Sequence, residues 1–207
     1  MFPGFKATNH PHQVMKRGVD DATDDRETPP DVFDPLNEEF HFTLDVAAAR
    51  HNAKCRRYYA KAGYTAAEAR QGQLFPTSLM GDPEALGYDG LAQTWGPDEV
   101  IWCNPPFSDL EPWMAKAHGD AATWVMLLPA NRTEQPAWQR YVEPYRDGRA
   151  PGGPEVRFLP GRRSFLYQGE VIGNSTSKAP PFGIVIVVWD RRLLRVPCSG
   201  ATEPRLG

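Results

Sequence analysis

Three short apolar runs, in GPDEVIWCNPPF (96–107), ATWVMLLPA (122–130) and FGIVIVVWD (182–190), constrain this chain more than any other feature. Each is short, rich in β-branched and aromatic residues, and bounded by turn residues, the pattern of a strand buried on both faces. Between the first two lies EPWMAKAHGDAA, where Trp113, Met114 and Ala117 share one face of a helix. Strand, helix and strand in succession predict a parallel sheet with helices on both of its faces. Upstream, HFTLDVAA (41–48) reads as a strand with Asp45 at its carboxyl end, and AARHNAKCRRYY leads into a second short strand around Arg57 to Ala60. ETPPDVFDPLNEEF sets Val32, Phe33 and Leu36 at helical spacing behind Thr28 and two prolines that suit a first helical turn. EVRFLPGRRSFLYQ and FGIVIVVWD follow one another as strands, which predicts an antiparallel C-terminal edge strand on a mostly parallel α/β sheet flanked by helices.

At 207 residues the chain suits one domain with a full core. Residues 1–25 are polar, proline-punctuated and too poor in apolar side chains to join that core, so the reading is a flexible tail, a domain over 26–196 and a second tail over 197–207. Residues 61–88 mix a helix-forming piece with Pro and Gly and read as an insertion over the surface. No apolar run approaches the roughly 20 residues that span a bilayer, and the N-terminus lacks a signal-peptide layout; a cytoplasmic protein is expected. Cys55, Cys103 and Cys198 are far apart and form no CxxC pattern, which argues against disulfides and a cysteine zinc site; His10 and His12 read as solvated tail residues, and no metal is assigned. The net charge of -3 gives no global basic footprint, but it is unevenly spread. Residues 1–50 hold ten carboxylates against five cations, whereas 151–196 hold seven cations against three carboxylates, so the C-terminal third is the side better suited to a polyanion, with a solvated strand edge guarded by arginine as the alternative reading that charge alone favours.

The run VIWC passes directly into Asn104-Pro105-Pro106-Phe107. A residue before proline is pushed out of the helical region, and here both Asn104 and Pro105 precede one, so the turn is stiff before anything binds. The carboxyl end of a central strand in an open α/β sheet is where such folds bind ligands. Asn104 offers a side-chain carbonyl and Pro105 a backbone carbonyl, two acceptors suited to the hydrogens of an exocyclic amino group. The lone pair of an adenine amino group is delocalised into the ring; acceptors that favour a more pyramidal nitrogen and spread its growing positive charge stabilise the transition state selectively. Phe107 supplies a flat face on which an extruded base can stack.

NPPF after an apolar strand resembles the [DNS]PP[YFW] motif of S-adenosylmethionine-dependent amino-methyltransferases. The wider set ETPPDVF, FTLDVAAARHNAKC, DGLAQTW, VIWCNPPF, WMAKA, VMLLPA and FLPGRRSF resembles the Dam-like DNA adenine-N6 methyltransferases of phages and prophages, from about Glu27 to Trp189. That resemblance implies a Rossmann-like methyltransferase sheet, S-adenosylmethionine as cofactor, DNA as partner with no obligate protein partner, and Asn104, Pro105, Pro106 and Phe107 as the catalytic loop. It implies that Thr28 and Pro29 lie against the methionine part of the cofactor, and that Asp45 faces the sulfonium-bearing amino acid or orders a water to it. Ala47 and Ala48 would leave room for the cofactor, Asn52 would hydrogen-bond nearby, and Asp89 is a candidate for its adenine or ribose, with an ordinary turn aspartate as the alternative. Arg162, Arg163 and Lys178 are the candidates for contacting DNA.

AAARHN stands where many methyltransferases carry a Gly-rich FxGxG turn, so the cofactor loop takes another path. No separate target-recognition domain is evident, leaving sequence reading to 61–88, 131–155 or the Arg162 and Arg163 loop. The expected reaction is methyl transfer to adenine N6 in DNA. The alternatives are cytosine N4, RNA or a protein glutamine as acceptor, or a nucleic-acid-binding module without catalysis. Cys103 reads as a packing residue and Cys198 as part of the tail.

Overall fold

The computed structural model describes residues 27–60, 85–167, 170–171 and 182–192. Both expected tails, most of the 61–88 insertion and Lys178 lie outside the described residues. Within them, strands β1 (Leu44–Ala48), β2 (Tyr58–Ala60), β3 (Gly87–Tyr88), β4 (Val100–Cys103), β5 (Thr123–Pro129), β6 (Glu155–Phe158) and β9 (Ile184–Trp189) form one seven-stranded sheet in the order β3-β2-β1-β4-β5-β9-β6. β3, β2, β1, β4 and β5 are mutually parallel, and β9 pairs antiparallel with both β5 and β6. In this sheet only β9 runs against the others, and it is not the edge: it lies one place in, and β6, running in the same direction as β5, fills the edge. Every residue of β5 and β9 is buried, as their unbroken apolar runs require.

Alternation along the strands splits the core in two. Val46, Ile101, Cys103, Trp124, Met126, Val185 and Val187 pack with Trp113, Met114 and Ala117 of α2 (Glu111–Gly119) and with Ala137 and Trp138 of α3 (Pro136–Tyr141). Trp102, Val125, Leu127, Ile186 and Val188 pack against Val32, Phe33, Leu36 and Phe40 of α1 (Pro30–Phe40). The helical stripe predicted from Val32, Phe33 and Leu36 is thus the buried face of α1, opened by Pro30 and closed by His41 in the left-handed region. Phe33 meets Trp102 edge to face at 5.3 Å, fixing α1 beneath the end of β4.

Two boundaries differ from expectation. EVRFLPGRRSFLYQ is not one strand: β6 stops at Phe158, a loop follows, and β7 (Leu166–Tyr167) pairs with β8 (Glu170–Val171) in a separate two-stranded sheet. Pro160 and Gly161, the latter at φ +73°, mark the break. The segment read as an insertion ends in β3, two residues with no periodicity to announce them. Among the described residues no helix is long and apolar enough to cross a membrane.

Candidate active site

The chain runs outward through β1, β2 and β3, then returns to β4 on the other side of β1, so the strand order reverses between β1 and β4. Ligands bind at the carboxyl ends of the strands at such a reversal. Leu44 lies opposite Ile101 and Asp45 opposite Trp102, so Asn104 leaves β4 abreast of the last residues of β1. Asn104 is half-buried, Pro105 buried, and Pro106 and Phe107 half-buried. The NPPF turn and the segment after β1 therefore face each other across the reversal.

Asp45 does not end its strand; it is the second residue of β1, which continues to Ala48. A buried carboxylate needs partners, and this one finds them in its own connection: Oδ2 accepts the Lys54 N–H at 3.0 Å and Oδ1 the Ala47 N–H at 3.3 Å. Burial pushes its pKa up to about 6, against the pull of those two N–H groups and the Lys54 charge. The side-chain oxygen of Asn52 accepts the Ala49 N–H at 2.6 Å, while Asn52 and Ala53 donate their own N–H groups to the Ala49 carbonyl. Asx-type bonding thus supplies the tight turn for which other sequences use glycine. Ala47 is half-buried and Ala48 buried at the strand's end.

Thr28 and Pro29 approach the same connection from the start of α1. Glu27 pairs through its backbone with Leu166, both N–H···O bonds being 2.9 Å, and its carboxylate holds Lys54 Nζ at 2.8 Å. Both side chains of that ion pair are largely buried. Beside it, Thr28 is 1% exposed and its hydroxyl has no hydrogen-bond partner among the described residues. A buried hydroxyl left open at the reversal is a group that a polar ligand would satisfy.

Phe107 joins both halves of the core. Its ring meets Phe165 at 5.9 Å and Phe182 at 6.0 Å, both edge to face. Neither partner was assigned a role from sequence, although Phe165 lies within FLPGRRSF; only the return of β9 and of the loop after β6 to this edge brings them together. The two described thiols are poorly suited to be nucleophiles: burial, then the Asp45 charge, pushes Cys55 up to about 12 and raises Cys103 as well.

Asp89 follows β3 at φ +60°, with its Oδ1 accepting the Leu91 N–H at 3.2 Å, the bonding of a turn aspartate. The residue that turn constrains is Gly90, where an added Cβ would come within 2.4 Å of the Val46 carbonyl oxygen. Gly90→Ala must displace β1 or the turn. It is expected to lower stability by about 1–3 kcal/mol in urea unfolding, with a parallel loss of ligand affinity at the reversal. Of the two arginines after β6, Arg163 is engaged by Asp31 at 2.9 Å, whereas Arg162 is exposed and has no side-chain partner among the described residues.

The family model described as DNA N-6-adenine-methyltransferase (Dam) matches residues 17–72 and 86–192. That span takes in α1, the connection after β1, Asn104 to Phe107, both arginines after β6 and the whole of β9. No curated protein matches the chain.

Proposed function

Because the chain belongs to the DNA N-6-adenine-methyltransferase (Dam) family, we propose that it transfers a methyl group from S-adenosylmethionine to the N6 amino group of adenine in DNA. The observation that carries this reading is the placement of Asn104-Pro105-Pro106-Phe107 directly after β4, abreast of the end of β1 where the strand order reverses. The strand order supports a Rossmann-like methyltransferase sheet over residues 26–196, with tails on either side.

The Ala47–Asn52 connection, held in shape by Asp45 and Asn52, forms one wall of the cofactor site; Thr28 and Pro29 form another, with the open Thr28 hydroxyl as its polar contact. Asp89 follows β3 at the far end of the same edge and is the candidate contact for the adenosine. When bound, S-adenosylmethionine supplies a sulfonium methyl whose carbon–sulfur bond breaks as the new carbon–nitrogen bond forms, the sulfur keeping the electron pair. Asn104 and the Pro105 carbonyl accept the amino hydrogens and favour the nitrogen lone pair's alignment with that methyl; the surplus proton leaves to water, and no general base is assigned. Phe107, with Pro106 fixing its approach, stacks on the swung-out base, while Arg162 contacts the DNA; Arg163, which Asp31 already engages, and Lys178 are further candidates for that contact.

Incubation with methyl-labelled S-adenosylmethionine and DNA, followed by digestion to nucleosides and mass spectrometry, tests the reading. N6-methyladenine is expected; label on cytosine, RNA or protein alone, or no transfer, rejects it. Phe107→Ala is expected to weaken DNA methylation by about 1–3 kcal/mol, read in kcat/KM for DNA, with little change in cofactor affinity. Equal losses in both would make Phe107 a packing residue only.

A further inference from the structure

Resting on the reading of this chain as a DNA-modifying enzyme, we propose that Arg132 is a further phosphate-binding residue, which with Arg162 grips the DNA backbone on either side of the swung-out nucleotide. Among the described lysines and arginines nearly every cation is committed. Lys54, Arg57, Lys116, Arg140, Arg146, Arg149, Arg157, Arg163, Arg191 and Arg192 each bond a carboxylate or a backbone carbonyl, and Arg50 also has a partner. Arg56, Arg132 and Arg162 have no such side-chain partner among the described residues. In a chain of net charge -3 whose other described cations are already engaged, a guanidinium with no such partner among the described residues is where a polyanion gains most.

Position separates the three. Arg56 lies just before β2, beside Arg57, whose partner Glu99 precedes β4; this is the amino edge of the sheet, away from NPPF. Arg132 ends the 3-10 turn Ala130–Arg132 that follows β5, and Arg162 lies in the loop after β6. Pro129 pairs with Ile184 and Phe158 with Val185, so β5 and β6 end level with each other at the carboxyl edge. Ala130 donates its N–H to Gly183 at 2.9 Å, next to Phe182, whose ring contacts Phe107. From there the two segments diverge. Ala130 packs with the core under α2 and α3, Leu159 and Phe165 with the core under α1, and Phe107 touches both. The two uncommitted arginines thus lie on segments that leave one edge toward opposite faces of the sheet, and Phe107 of the NPPF turn packs against the core on both. Rotating a nucleotide out of a duplex needs its flanking phosphates held while the base moves. Guanidinium forks on both sides meet that need.

The test is the salt dependence of binding of the full chain to a fluorescein-labelled duplex DNA, followed by fluorescence anisotropy. Arg132→Gln is expected to bind about tenfold more weakly and to flatten the slope of log Kd against log salt by about 0.9, the loss of one phosphate contact. Arg132→Lys should restore the slope, and cofactor affinity should not change in either variant. Arg56→Gln, which removes the same charge from the amino edge, should leave the slope intact. An unchanged slope in Arg132→Gln, or an equal loss in Arg56→Gln, overturns the proposal, as does a wild-type chain that does not bind DNA. A wild-type chain that methylates adenine while Arg132→Gln keeps its slope rejects this inference and leaves the proposed function standing. One that binds DNA with the expected Arg132 signature but methylates nothing does the reverse.

Discussion

Asn104→Ala is expected to lower the rate of methyl transfer by on the order of 10²–10³-fold, while DNA and cofactor affinities stay near those of the parent. The effect is large because the acceptor is needed most where charge develops: as the amino nitrogen attacks, its hydrogens become more acidic and its positive charge grows. An oxygen fixed before the reaction stabilises that state more than the resting base. The prolines that follow supply the fixing, since both Asn104 and Pro105 are denied helical backbone geometry. Asn104→Asp keeps an acceptor in the same place and should retain far more activity than the alanine variant. Single-turnover transfer of labelled methyl groups separates chemistry from binding. A kcat for Asn104→Ala within about tenfold of the parent would remove the acceptor from the mechanism.

How much of this was legible in the sequence depended on the range of the interaction. The apolar runs of β4, β5 and β9 were readable because a strand buried on both faces has no polar alternation to hide it, and the stripe of α1 because helical spacing is local. NPPF was readable because two prolines constrain backbone torsions whatever surrounds them. What the sequence did not reveal was partner choice at long range. Nothing local says that β9 enters between β5 and β6, yet that insertion carries Phe182 to Phe107. Nothing local pairs Glu27 with Lys54, 27 residues away. Asp45 was misplaced for a related reason: the sequence marks an acid in an apolar strand but not where pairing stops. Its actual partners, Ala47 and Lys54, become visible only once the connection has folded back over it.

That buried acid sets the second large effect. Asp45 has its pKa raised to about 6 in the fold, chiefly by burial, against about 3.9 in an unfolded chain. The folded protein therefore holds this proton more tightly than the unfolded one does. Its contribution to stability is full below about pH 4, is lost as the pH rises through about 6, and is flat above that, with a total on the order of 3 kcal/mol. Other groups titrate with the opposite sign. Glu39 and Asp190, held low first by hydrogen bonds from Arg157 and Arg192, add stability that is lost only as the pH falls below the ordinary carboxylate range. His118, lowered by burial and then by Arg191, overlaps the Asp45 window. Comparison with Asp45→Asn cancels all three, because the amide carries no proton to lose while the other groups are unchanged. Between pH 4 and pH 7 in urea unfolding, the stability gap should move in favour of the asparagine variant by on the order of 3 kcal/mol. The amide cannot accept on both sides, so either the Ala47 or the Lys54 N–H faces a second donor, and the connection after β1 loosens. Cofactor affinity should therefore fall in the variant even where its fold gains on the parent. Parallel pH profiles for the two proteins would show that Asp45 is not the group that titrates.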